Sequence, residues 1–141
     1  MTINEIQDSI IEEFSLFDDW LDKYNYIIEI AKDLPEIAQE FKTNDNLITG
    51  CQSKVWLNAE LENNKIRFTA DSDAIITKGI ISLLVKVYDN RTPQEIMDSE
   101  IYFIKKIGLE ENLSPTRANG LLSMMKKIKL YALAYNSKLN N

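Results

Sequence analysis

The chain has 141 residues, 45% hydrophobic and 27% charged, with a net charge of −6, which suits one domain over residues 1–141 that buries a core without cross-links. It has no histidine and one cysteine, which excludes imidazole acid–base chemistry, Ser–His and Cys–His nucleophile pairs, an internal disulfide and a multi-thiolate metal site. Residues 1–50 carry 3 basic and 12 acidic side chains, a balance of −9, whereas residues 101–141 carry 7 and 2, a balance of +5; so acidic a first third argues against nucleic-acid binding.

At the N-terminus, Thr2-x-x-Glu5 has the form of a capping box. Ile3, Ile6, Ile10 and Phe14 follow at helical spacing, and the sequence predicts a short amphipathic helix. Phe17, Leu21, Tyr24, Ile28 and Ala31 predict the buried face of a second helix, which Leu34-Pro35 ends because proline disfavours helix in the residue before it. Residues 43–46 have a loop composition. Val55, Leu57, Ala59 and Leu61 then alternate with Lys54, Trp56, Asn58 and Glu60, and Ile66, Phe68 and Ala70 alternate after Glu62-Asn63-Asn64. Period 2 around an asparagine turn predicts a β-hairpin. A two-stranded hairpin is marginal alone, and Leu47-Ile48 is the candidate for a third strand. Trp56 and Trp20 read as packing residues, with partner contact as the alternative.

Asp71-Ser72-Asp73 is expected to cap the next helix, whose buried stripe is Ile76, Ile80, Leu83, Leu84 and Val87, with Gly79 marking a close approach. Thr92-Pro93-Gln94-Glu95 starts another short helix. An apolar segment, residues 101–107, stops at Gly108, and Ser114-Pro115 opens the last helix, with Ala118, Leu121, Leu122, Met125, Ile128, Ala132 and Tyr135 on one face. Its lysines (Lys126, Lys127, Lys129, Lys138) read as a solvated face and as cations near a helix C-terminus rather than as a phosphate site. Strands and helices are segregated, so the fold class is α+β, a small antiparallel sheet covered by several helices. No apolar run approaches a membrane span of ~20 residues. Met1-Thr2-Ile3-Asn4-Glu5 lacks the features of a secretory signal, so a cytoplasmic location is expected.

Cys51 lies directly after Gly50, between the polar loop and the first strand. A thiol there can be presented to a partner, and glycine permits the turn before it. Taken alone, a free cysteine is more often a small buried apolar residue.

The neighbours of Cys51 add a positive reading. Gly50-Cys51-Gln52-Ser53-Lys54-Val55-Trp56-Leu57 resembles the signature of the SufE family, sulfur acceptors of cysteine desulfurases. Asp71-Ser72-Asp73-Ala74-Ile75-Ile76-Thr77-Lys78-Gly79 and Leu113-Ser114-Pro115-Thr116-Arg117-Ala118-Asn119-Gly120-Leu121 resemble two further blocks, in order, and Tyr24-Asn25-Tyr26-Ile27-Ile28-Glu29 and Leu34-Pro35-Glu36 match upstream. The resemblance runs from about residue 10 to about residue 135. It implies a SufE/IscU-like fold and no cofactor of its own. The implied partners are a SufS-type, pyridoxal-phosphate-dependent cysteine desulfurase and downstream iron–sulfur scaffold proteins; a homodimer is left open. The chain would be a carrier and desulfurase activator rather than an enzyme, taking persulfide sulfur on Cys51, with Gly50, Gln52 and Ser53 forming the cysteine loop. The thiolate is the nucleophile in such a transfer. Arg117 would order that loop or contact the partner, or else is an exposed first-turn arginine. Asp73 would contact the partner or hold the loop closed, or else is a first-turn carboxylate. The loop is expected to fold inward in the free protein and swing out on docking. Lys78, Asn119 and Gly120 fit the blocks without an assigned role. An adaptor that activates a desulfurase without carrying sulfur is the alternative. An iron–sulfur scaffold would need more ligands than one cysteine.

Overall fold

A computed structural model describes residues 1–140. The first helix, α1 (Ile3–Phe14), starts at the expected capping box: Thr2 N donates to Glu5 Oε1 at 2.9 Å and Glu5 N donates to Thr2 Oγ1 at 3.0 Å. It buries Ile3, Ile10 and Phe14, and with them Gln7. A buried amide must find partners. Gln7 does so across the fold, donating to Glu100 O at 3.0 Å and accepting from Tyr102 N at 2.9 Å and Phe103 N at 3.2 Å.

The second helix, α2 (Trp20–Ile30), is capped by Asp19, which accepts from Asp22 N at 2.9 Å. Its buried face differs from the expected one. Ile27 is fully buried, whereas Leu21 is 67% exposed and Phe17 precedes the helix. The cause is a close crossing with α3 (Ile75–Tyr88): a β-carbon at Gly79 would lie 2.5 Å from Ile27 O. That crossing fixes Ile27 inward. Leu21, six residues earlier, then points about 120° away around the helix.

The hairpin is as expected. Strands β1 (Val55–Glu62) and β2 (Lys65–Ser72) pair antiparallel from Val55↔Ser72 to Glu62↔Lys65. Asn63 and Asn64 make the two-residue turn with φ of 54° and 65°, the primed geometry that matches strand twist. Val55, Leu57, Ala59, Ile66, Phe68 and Ala70 are buried on one face. Leu47-Ile48 does not form a third strand. It makes one bridge, Leu47 to Trp56, with Ile48 N donating to Val55 O at 2.8 Å. A 3₁₀ turn over Asn44–Asn46 before it and the turn at Gly50 after it leave too few extended residues for a ladder.

Helix α3 covers the hairpin and is buried on nearly every side, with Gly79, Ile80, Ile81, Ser82, Leu83 and Leu84 consecutive in the core. Asp71-Ser72-Asp73 does not cap it as expected. The cap position falls on Ala74, without a side-chain bond, because Asp71 is engaged by Lys42 at 2.7 Å and Asp73 turns back to Lys54 N at 3.0 Å. Ser72 Oγ accepts from Ala74 N at 3.2 Å.

Thr92 and Glu95 form the capping box of α4 (Pro93–Asp98), and α5 (Phe103–Lys106) stops before Gly108, whose φ is 76°. Ser114 Oγ accepts from Arg117 N at 3.3 Å to open α6 (Pro115–Leu139). Its buried residues are Gly120, Leu121, Met124, Ile128 and Ala132. Leu122, expected among them, is 54% exposed; Gly120 and Met124 take the inner face instead. Two tyrosines fasten α6 to the outer side of β1: Tyr131 OH donates to Leu57 O at 3.0 Å and Tyr135 OH to Ala59 O at 2.8 Å. Lys129 donates to Ile96 O and, at 2.8 Å, to Ser99 O, so it closes the C-terminus of α4; burial pushes its ammonium below the usual lysine range. Among the described residues, no helix is long and apolar enough to cross a membrane.

Gly79→Ala drives a methyl group into the main chain of α2, which cannot swing aside as a side chain could. We expect a loss of about 3 kcal/mol, read as a lower urea midpoint at unchanged slope.

Candidate functional site

Cys51 sits on the segment that links Ile48 to β1. The preceding Gly50 has φ of +92°, and a β-carbon there would meet Ser123 Oγ at 2.5 Å. The backbone angle favours glycine here, and a β-carbon would in addition make the Ser123 hydroxyl turn aside. The turn sends Cys51 inward. Its side chain is half-buried, and Sγ donates to Gly120 O at 3.7 Å. A β-carbon on Gly120 would stand 3.3 Å from that sulfur.

A cavity of about 60 Å³ adjoins the thiol. Gln52 and Ser53 line it from the loop, Thr77 and Ile80 from α3, and Thr116, Arg117 and Met124 from α6. A water needs some 10–15 Å³ of such space, so the cavity admits atoms beyond the thiol sulfur. Burial pushes the Cys51 thiol above its ordinary value. In this seat it is protonated at neutral pH and is a poor nucleophile.

The two distant residues singled out from the sequence are in different places. Arg117 lines the cavity, and its Nη1 donates to Tyr24 OH at 3.4 Å, which ties the first turn of α6 to α2. Asp73 lies at the far end of the loop. Its Oδ1 accepts from Lys54 N at 3.0 Å and its own N donates to Lys54 O at 3.2 Å, so the loop is closed against the end of β2. Next to that closure, Asp71 sits between Lys42 at 2.7 Å and Lys78 at 3.4 Å. Burial pushes the Asp71 carboxyl up, but the Lys42 hydrogen bond, the Ser72 N–H and the Lys78 charge outweigh it and hold it below the usual range. Lys78, without a role in the sequence, thus belongs to an ion-pair network that joins α3 to β2 and the segment before the loop.

Sequence reasoning missed Thr77, Ile80 and Met124 beside Cys51 and Ser123 beside Gly50, and it left Gly120 without a role. One signal was available: a glycine in the interior of a predicted helix needs a reason.

The family model of SufE, the Fe-S metabolism associated domain, matches residues 8–132. The chain belongs to the SufE family. It is 43% identical over 127 residues to an uncharacterized SufE-like protein of Rhizobium etli, covering 86% of each chain. A SufE-like protein of Rhizobium meliloti is 39% identical over 127 residues, which cover 86% of this chain and 91% of that one. The same fold occurs in the solution structure of a hypothetical protein from Thermus thermophilus, with a TM-score of 0.77 over 94% of this chain and 96% of that one at 19% identity. SufE membership associates the chain with iron–sulfur metabolism.

Because the seated thiol is held protonated, its alkylation by iodoacetamide in the free protein should rise with pH through a midpoint above that of the same chain unfolded in urea. A folded-state midpoint equal to the unfolded one would show that the seat does not desolvate the sulfur.

Proposed function

We propose that this protein accepts sulfur on Cys51 from a SufS-type cysteine desulfurase, stimulates that enzyme, and passes the sulfur to iron–sulfur scaffold proteins, working in the cytoplasm. The observation that carries the reading is the position of Cys51 in a SufE-family chain: the thiol stands on a glycine-hinged loop beside a cavity with space for more than its own sulfur. In the transfer, the Cys51 thiolate attacks the outer sulfur of the desulfurase's cysteine persulfide. One S–S bond forms as the other breaks, the partner's thiolate leaves, and no external electron donor is needed. Removal of the persulfide frees the partner for its next turnover, which is how a carrier stimulates without being an enzyme itself.

The loop must open for this attack, because the seated thiol is both half-buried and protonated. Gly50 is the hinge on one side. On the other, the two hydrogen bonds between Asp73 and Lys54 fasten the loop, and they are solvent-accessible enough for a docking partner to replace. Gln52 and Ser53 travel with Cys51, and Arg117 remains on α6 as the cation beside the vacated cavity. Support from the structure is thus for a closed resting form, and the reading assigns sulfur acceptance to the open form.

A desulfurase assay with L-cysteine tests it. Cys51→Ser should abolish stimulation, and mass spectrometry should find a gain of about 32 Da, one sulfur, on the wild-type chain alone. Stimulation that survives the serine substitution would overturn the carrier reading and assign the chain as a non-carrying adaptor.

A further inference from the structure

The chain has four glycines, and three of them are explained by the fold. Gly50 and Gly108 have positive φ, and Gly79 admits the main chain of α2. Gly120 has neither reason. It is the sixth residue of α6, inside the helix, where glycine weakens the element without ending it. Its φ is not positive. Yet it is buried, and the three nearest heavy atoms to its missing β-carbon all belong to Cys51: Sγ at 3.3 Å, Cα and Cβ at 3.8 Å.

We infer that Gly120 is the positioning residue of the cysteine seat: the absent β-carbon lets the sulfur of Cys51 settle a few tenths of an ångström closer to α6, and the Gly120 carbonyl receives the S–H of Cys51. As the seat of the sulfur-carrying cysteine it rests on the reading above, but the seating of the thiol does not depend on sulfur transfer. The chemistry of the seat is one-sided. A carbonyl oxygen only accepts, so it binds S–H and repels a thiolate. Thr77, Ile80 and Met124 add no charge. Arg117 is the one charged residue lining the cavity, and its guanidinium donates to Tyr24 OH. Lys54 and Asp73 stand at the other end of the loop, joined to each other through main-chain groups. Gly120 therefore couples two properties. While the loop rests on it, the sulfur is both hidden and protonated; once the loop leaves, the sulfur is exposed and ionises as an ordinary cysteine.

The test uses the whole chain without a desulfurase, comparing wild type with Gly120→Ala and Gly120→Val. The rate of Cys51 alkylation by iodoacetamide is measured from pH 6 to about pH 10, with circular dichroism as the check on folding. Alanine is the better helix former, so Gly120→Ala is expected to keep its native helix content even if the valine variant does not. Alkylation at neutral pH should be about twofold faster in the alanine variant, whose methyl displaces the sulfur by only a few tenths of an ångström, and at least about tenfold faster in the valine variant. In both, the midpoint should fall toward the ~8.5 of an unperturbed cysteine. A merely structural role would not move that midpoint in a folded protein. A folded Gly120→Ala variant with wild-type rate and midpoint would overturn the seat and leave sulfur acceptance standing. A shifted midpoint in a chain whose wild type never gains sulfur would uphold the seat and remove the carrier reading.

Discussion

A ribbon of two strands cannot by itself keep an apolar face out of water, and the whole fold answers that constraint through α3. One side of α3 lies on β2 of the hairpin, and another admits α2 so closely that a β-carbon at Gly79 would lie 2.5 Å from Ile27 O. The same helix supplies Thr77 and Ile80 to the cavity beside Cys51. Core and site therefore share one rigid element, and the floor under the cysteine is as immobile as the protein's best-packed helix.

Against that fixed floor, the loop carrying Cys51 is held by few interactions. One is the contact of Sγ with Gly120 O, and another is the pair of bonds between Asp73 and Lys54. Elements with few buried contacts sit at the low end of local stability. Burial of the thiol also sets its protonation, so a change of loop position is at once a change of reactivity. The ion pairs of Asp71 with Lys42 and Lys78 tie down the strand end at which the loop is fastened.

The parts of this arrangement written locally were legible in the sequence. The capping boxes at Thr2 and Thr92, the serine cap at Ser114 and the alternation about Asn63-Asn64 each depend on residues within a few positions of one another, and each formed as expected. Long-range packing was not legible. Which side of α2 faces inward is decided by Gly79, some 50 positions later in the chain, and this exposes Leu21. Asp73 has the right chemistry for a helix cap but is taken by the Lys54 amide, 19 residues away. Leu47-Ile48 has strand composition but too little length between two turns. At the site, Cys51 and Gly50 could be picked out from their immediate neighbours, whereas the surface they rest on belongs to a helix 69 residues downstream.

The bonds along the two margins of the hairpin have a consequence for how the molecule behaves in a crowded solution. Strand margins normally offer a row of free amides and carbonyls to any extended chain that passes. Here the carbonyls of Val55, Leu57 and Ala59 are taken by Ile48 N, Tyr131 OH and Tyr135 OH. On the opposite margin, Ile66, Phe68 and Ala70 are engaged by Arg91 and Asn90, by Asp89, and by Pro35 and Ile37. A small sheet that would otherwise template its own stacking thus has three carbonyls of β1 and main-chain groups of three residues of β2 already engaged by loops and α6. Strand-to-strand pairing between copies of the chain would first have to displace these bonds.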